Sequence, residues 1–160
     1  MIPKKKLSAE EVLQKLRHYC AYQERCHQEV REKGYALGLR KKELDAVLSQ
    51  LIEENYLNEA RFAMAFAGGK FRLRHWGRIK IRYALQQKGV STYCIEQALA
   101  QFDQESYQKI LEKLAASKWQ SLDPQDHILS RKKRLYDYLM QKGYEYALVR
   151  QVSDQVIGDG

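Results

Sequence analysis

The chain has 160 residues and carries 28 Lys and Arg against 20 Asp and Glu, a formal net charge of +8. That length admits one domain or a few small modules, and two prolines with nine scattered glycines favour long helices over many-turned sheets. No apolar run approaches the ~20 residues of a membrane span. The basic start Met1–Leu7 leads into a charged helix rather than an export signal, and the three cysteines lack framework spacing, so a cytoplasmic, reduced protein is expected.

In chain order, Ser8-Ala-Glu-Glu11 reads as a capping box that opens a helix with Val12, Leu13, Leu16 and Cys20 on its apolar side. Three Lys-Gly pairs then mark a repeat: Lys33-Gly34, Lys88-Gly89 and Lys142-Gly143, spaced 55 and 54 residues apart. Before each glycine, Cys26/Val30, Ile81/Leu85 and Leu135/Leu139 lie four apart on one helix face. Each glycine is expected at C′, where positive φ ends a helix without steric cost. A further amphipathic helix follows each pair: Leu44, Val47, Leu48 and Leu51; Ile95, Ala98, Leu99 and Phe102; Val149, Val152 and Val156.

Helices from about Asn58 and about Gln104 precede the second and third pairs, with Phe62, Ala63, Phe66 and Ala67, and with Ile110, Leu111, Leu114 and Trp119, on their apolar faces. Asp123-Pro124 offers an N-cap and N1 proline for the helix before Lys142-Gly143. The predicted fold is all-α: three tandem three-helix repeat units over residues 1–57, 58–103 and 104–160, packed into an elongated molecule that could curve. A unit of this size is marginal alone, so neighbours are expected to pack together. Tyr35–Arg40 reads as a longer link in the first unit, and Ser117–Asp126 as a longer one in the third.

The excess charge falls in the middle unit. No acidic residue lies between Glu59 and Glu96, while Arg61, Lys70, Arg72, Arg74, Arg78, Lys80, Arg82 and Lys88 do. Arg74, Arg78 and Arg82 are spaced by four, which places them as one stripe on the unit's second helix. Solvated helix faces ordinarily mix signs for i,i+4 pairing, so an acid-free stripe points to an anionic partner. Phe66, Phe71, Trp76 and Tyr83 lie among the charges; Phe66 and Phe71 suit packing, and Trp76 suits packing or contact with a base. The repeat offset carries Arg78 and Lys80 onto Lys132 and Arg134 in Arg131-Lys-Lys-Arg134, extending the basic edge to a second unit. The candidate partner or nucleic-acid-binding set is Lys70, Arg72, Arg74, Trp76, Arg78, Lys80, Arg82, Lys132 and Arg134. Arg61 and Lys88 stand at positions that suit the fold.

Catalysis has little support. There is no Gly-x-Ser-x-Gly, His-Glu-x-x-His or phosphate loop, and Gly68-Gly69-Lys70 lacks the rest of a Walker motif. His18, Cys20, Cys26 and His27 match no common zinc spacing. No catalytic residue, metal or cofactor is assigned.

The stretch Tyr56-Leu-Asn-Glu-Ala-Arg-Phe-Ala63, with Trp76-Gly-Arg-Ile-Lys-Ile-Arg-Tyr-Ala-Leu-Gln-Gln-Lys-Gly-Val90, resembles the RecX regulatory proteins. Asn58 and Glu59 stand where that family usually has two aspartates. The resemblance implies a non-enzymatic regulator that binds the RecA recombinase filament on single-stranded DNA, and a monomer is expected. It further implies modulation, usually inhibition, of RecA's ATPase, strand exchange and coprotease activity, with no short set of binding residues to transfer. An autonomous helical nucleic-acid-binding protein acting through the basic middle unit is the alternative. A helical adaptor that uses no nucleic acid is a third.

Overall fold

A computed structural model describes residues 7–159, so the basic run Lys4–Lys6 lies outside the described residues. Nine α-helices run through the described residues: α1 (Ala9–Tyr22), α2 (His27–Ala36), α3 (Lys41–Glu53), α4 (Glu59–Arg74), α5 (Arg78–Gln87), α6 (Thr92–Leu99), α7 (Gln104–Ser121), α8 (Ile128–Lys142) and α9 (Tyr146–Asp159). Helix-on-helix packing falls mainly within α1–α3, α4–α6 and α7–α9, three successive groups of three. The accessible surface is 10330 Å², roughly a quarter above the ~8300 Å² expected of a compact monomer of this mass. The molecule is therefore extended.

Side-chain caps open the first helix of each group. Ser8 Oγ, Asn58 Oδ1 and Asp103 Oδ2 accept from the backbone N–H groups of Glu11, Arg61 and Ser106 at 3.1, 2.9 and 3.1 Å. Each satisfies a donor with no partner inside its helix. At Ser8 the return bond of a capping box is replaced by the hydroxyl donating to Glu11 Oε1.

Glycines stop helices at two of the three expected places, Gly89 (φ 74°) and Gly143 (φ 98°). Gly34 does not: α2 continues through it, and Gly38 (φ 96°) takes the turn. Gly34 instead admits α3, since a Cβ there would lie 2.5 Å from Leu44 Cδ1. The first group therefore repeats the second at an offset of 51 residues, pairing Gly38 with Gly89, Val30 with Ile81 and Leu44 with Ile95. In that register Leu37–Arg40 matches Lys88–Ser91, and the link is no longer than its counterpart. Cys26 is then the N-cap of α2 rather than a member of its apolar face.

A second correction lies ahead of α8, where α7 runs on to Ser121 and the link covers residues 122–127 rather than Ser117–Asp126. Asp123 caps a turn, its Oδ1 accepting from Gln125 N–H at 2.9 Å and its carbonyl from Asp126 N–H at 3.1 Å. Pro124 occupies the second position of that turn, a favoured place for it. The N-cap of α8 is His127, whose Nδ1 accepts from Leu129 N–H at 3.1 Å.

The described residues form two hydrophobic cores. The smaller is built from α1–α3 and closed by Leu57. The larger runs unbroken through α4–α9 and also takes in Cys26 from the first group. Rings carry it across the boundary between the second and third groups: Phe102 stacks on Phe71 at 4.7 Å, Phe71 on Tyr107 at 5.7 Å, and Tyr107 meets Tyr144 at 5.1 Å. Phe71 thus packs as expected, but between two groups. Burial pushes the thiols of Cys20 and Cys26 up to about 11, leaving both as inert core thiols. Among the described residues no helix is long and apolar enough to cross a membrane.

Candidate nucleic-acid and partner interface

Where α4 ends, the chain turns sharply onto α5, and α8 ends against that turn. His75 adopts the left-handed conformation (φ 56°), and its N–H bonds back to Phe71 O at 3.0 Å. Trp76 follows, and Gly77 is the N-cap of α5. Arg74 therefore belongs to α4 and Arg78 to α5, so Arg74, Arg78 and Arg82 do not form one helical stripe. Four-residue spacing makes neighbours only within a continuous helix, and this turn interrupts it.

The start of α5 and the end of α8 complete each other. Gly77 N–H donates to Lys142 O at 2.8 Å and Ile79 N–H to Gly143 O at 2.9 Å. Unpaired donors of one terminus meet unpaired acceptors of the other, with the helix dipoles favourably opposed. This approach requires glycine on both sides. A Cβ on Gly77 would lie 2.4 Å from Gly143 O, and one on Gly143 would lie 2.3 Å from Lys80 Cβ.

Beneath the backbone contact lies a half-buried network. Arg78 N–H donates to Tyr107 Oη at 3.0 Å, and that hydroxyl donates to Glu145 Oε1. The Arg78 guanidinium bonds Glu145 Oε2 at 2.7 Å and Gln104 Oε1 at 3.2 Å, and lies 3.8 Å from the Tyr107 ring centre. Tyr144 Oη donates to His75 O at 2.9 Å. Burial raises the Tyr107 hydroxyl far above its ordinary range, with Glu145 adding to the effect. Burial pushes the Glu145 carboxyl up, but hydrogen bonds from Tyr107 and Arg78 outweigh it and leave the pKa lowered. The carboxylate is thus charged and committed to holding the second and third groups together.

Four of the nine predicted site residues are engaged inside the protein. Besides Arg78, Arg82 pairs with Glu96 at 3.0 Å, Lys132 approaches Asp154 at 3.9 Å and Arg134 pairs with Asp126 at 3.1 Å. Within the same basic run Arg131 turns onto Trp119, at 4.1 Å from the ring centre, and Lys133 pairs with Asp137 at 2.8 Å. Arg61 is also structural: it bonds Glu24, Asn55 Oδ1, and the carbonyls of Asn55 and Tyr56. The acid-free window is acid-free only in sequence; folding brings carboxylates to it from outside.

Four of the other five, Lys70, Arg74, Trp76 and Lys80, collect at the turn, and Arg72 does not. Lys70 and Lys80 place their ammonium groups 4.9 and 4.6 Å from the Trp76 ring. Arg72 folds back over Gly68, and Arg74 is exposed at the end of α4. Three residues with no assigned role in the sequence join them. Lys142 Nζ donates to Arg74 O at 3.1 Å, and Lys118 and Lys142 flank the Tyr138 ring at 5.0 and 5.9 Å. Lys80 Nζ donates to Gln141 O at 3.4 Å, and Lys80, Tyr138, Gln141 and Lys142 line a small cleft of about 150 Å³. Among the described residues no ion pair engages Lys70, Lys80, Lys118 or Lys142. Lys142 was visible as part of the third Lys-Gly pair; Lys118 and Tyr138 carry no local signal, because only the packing of α7 against α8 brings them together.

Residues 58–99 match a family model described as the second three-helix domain of RecX, and residues 105–152 one described as the third. The regulatory protein RecX of Prosthecochloris aestuarii is 30% identical over 141 residues, covering 87% of this chain and 89% of that protein. That of Clostridium botulinum is 33% identical over 130 residues, covering 81% of this chain; the chain spans only 60% of that protein's length. A crystal structure of RecX from Lactobacillus salivarius shares the fold, with a TM-score of 0.79 at 18% identity over 93% of this chain and 96% of that one.

Proposed function

The chain belongs to the RecX family of regulatory proteins, and from that premise we propose that it binds the RecA filament on single-stranded DNA and inhibits it. In this reading the ATPase, strand exchange and coprotease activities all fall, and the chain acts by binding without a cofactor or catalytic residue of its own. The supporting observation is the cationic, aromatic-flanked turn where α4, α5 and α8 meet, with Lys70, Lys80 and Lys142 free of ion pairs among the described residues. It sits on the largest core of the molecule, so its cations are presented at fixed spacing and little order is lost on binding. Half-exposed lysines that retain donors suit phosphate or an acidic protein face. The division into units at residues 57 and 103 belongs to the same proposal.

The test is RecA ATPase on single-stranded DNA, titrated with wild type, Lys70→Gln/Lys80→Gln/Lys142→Gln, and Arg74→Glu/Arg78→Glu/Arg82→Glu. Wild type is expected to inhibit, and the lysine triple to need roughly tenfold more protein, about 1.4 kcal/mol of lost binding. The arginine triple should lose fold stability as well, because Arg78 is part of the Glu145 network. No inhibition by wild type rejects the function; equal inhibition by the lysine triple rejects the site. Binding to bare nucleic acid that RecA does not raise would favour the autonomous alternative.

A further inference from the structure

The other concentration of unpaired cations and aromatic rings lies at the far end of the molecule, in the first helical group and away from the acid-free window. Lys15, His18, Tyr19 and Tyr22 recur at i, i+3, i+4 and i+7 along one face of α1. Together with Arg25 from the α1–α2 link and Lys33 from α2, they line an open cleft of about 490 Å³ floored by Leu37. Among the described residues no carboxylate lines it. Two acids near it in sequence are engaged elsewhere: Glu24 with Arg61, and Glu29 with the backbone N–H of Cys26 at 3.1 Å.

The cleft is built as well as charged. Arg25 lies flat on Tyr19, 3.7 Å from the ring centre, with Nε donating to Tyr19 O at 3.0 Å. Among the described residues no hydrogen bond or ion pair engages its terminal nitrogens, the pair with which a guanidinium recognises phosphate. Lys33 Nζ stands 5.6 Å from the same ring. Beside them Tyr22 is 83% exposed, with Arg25 Cζ 6.0 Å from its ring centre. Tyr22 thus offers a large apolar ring face to solvent next to three cations, Lys15, Arg25 and Lys33, that make no ion pair among the described residues.

We infer that this cleft binds single-stranded nucleic acid, with one base stacked on Tyr22 and the flanking phosphates held by Lys15, Arg25 and Lys33. The volume falls in the range of small-ligand pockets and suits one nucleotide. A free ring beside cations is the combination that single-strand binders use, stacking on the base and charge on the backbone. An acidic peptide would satisfy the cations but leave the ring unused. The turn at Trp76 differs in this respect: Lys70 and Lys80 already occupy positions over the Trp76 ring, so that surface can hold phosphate but offers less ring for a base. The inference does not rest on the filament reading, since it concerns the chain alone.

The experiment measures anisotropy of a short fluorescein-labelled oligothymidylate with the full chain and no other protein, across a salt series. It compares wild type, Tyr22→Ala, Tyr22→Phe and Lys15→Gln/Lys33→Gln; all three side chains are exposed, and melting curves check that each variant folds. Tyr22→Ala should weaken binding by about fivefold or more while Tyr22→Phe, which keeps the ring, binds as wild type. The lysine double should lower the slope of log K against log salt by about 1.4. An abasic oligomer should bind wild type no better than oligothymidylate binds Tyr22→Ala. Unchanged affinity in Tyr22→Ala or an unchanged slope in the lysine double overturns the inference. So does polyglutamate competing as well as an oligothymidylate of equal charge, which would assign the cleft to an acidic peptide.

Discussion

The two junctions of this molecule are made differently. Between the second and third helical groups, one core continues across, two helix termini share backbone hydrogen bonds, and two glycines allow main chain to touch main chain. Between the first and second groups the cores are separate, Cys26 alone reaches across into the larger one, and a single arginine ties Glu24 to the Asn55–Tyr56 turn. The first junction has no room to adjust; the second depends on half-exposed side chains that water can replace. A filament-binding protein so built would present its α4–α9 body rigidly and hold its first group on a looser connection.

Substitution at Gly77 should break this contrast most severely. Gly77→Ala drives a Cβ into Gly143 O, and backbone on both sides leaves nothing flexible to yield. A loss of about 3 kcal/mol is expected, read as a lower urea midpoint for α4–α9. A midpoint unchanged from wild type would show that the junction is as adjustable as the other one.

Glu145→Gln should follow, at about 2 kcal/mol near neutral pH, because it removes charge-assisted bonds from Arg78 and Tyr107. The Glu145 pKa is lowered on folding, so its contribution is present above the unfolded value of about 4.3. That contribution is lost as pH falls below it towards the folded value. Urea midpoints between pH 6 and pH 3 should therefore fall less steeply in Glu145→Gln than in wild type; parallel curves would remove Glu145 from the account.

Arg61→Ala should have the smallest effect on total stability, about 1 kcal/mol, since its ion pair is partly solvated. It should instead change the form of unfolding, with α1–α3 melting before α4–α9 and separating in differential scanning calorimetry. A single transition like that of wild type would show that the junction between the first and second groups is held by more than Arg61.

Much of the fold was legible locally. Ser8, Asn58 and the apolar faces of α1, α3, α6 and α9 appear where residue type and spacing place them, since caps and periodic faces depend on residues within a few positions. The errors share one cause. Gly34 looked like a helix stop because it matches Gly89 in type, but its role is to admit Leu44 from another helix. The Arg74–Arg78–Arg82 stripe looked continuous because four-residue spacing cannot reveal that a left-handed His75 interrupts it. Asp123-Pro124 carries the same residues for a turn as for a helix start.

By itself the sequence determined the all-helical class, the repeated grouping of helices, the family, and the concentration of basic residues in the middle of the chain; each is a matter of residue type and short spacing. Which of those cations remain free was decided only in three dimensions. Glu145 reaches Arg78 across 67 positions, while Lys142 arrives beside Arg74 across 68. Electrostatic pairing depends on distance through space, and acid-free in sequence therefore became partly neutralised in the fold, with the unpaired charge gathered at the turn between α4, α5 and α8.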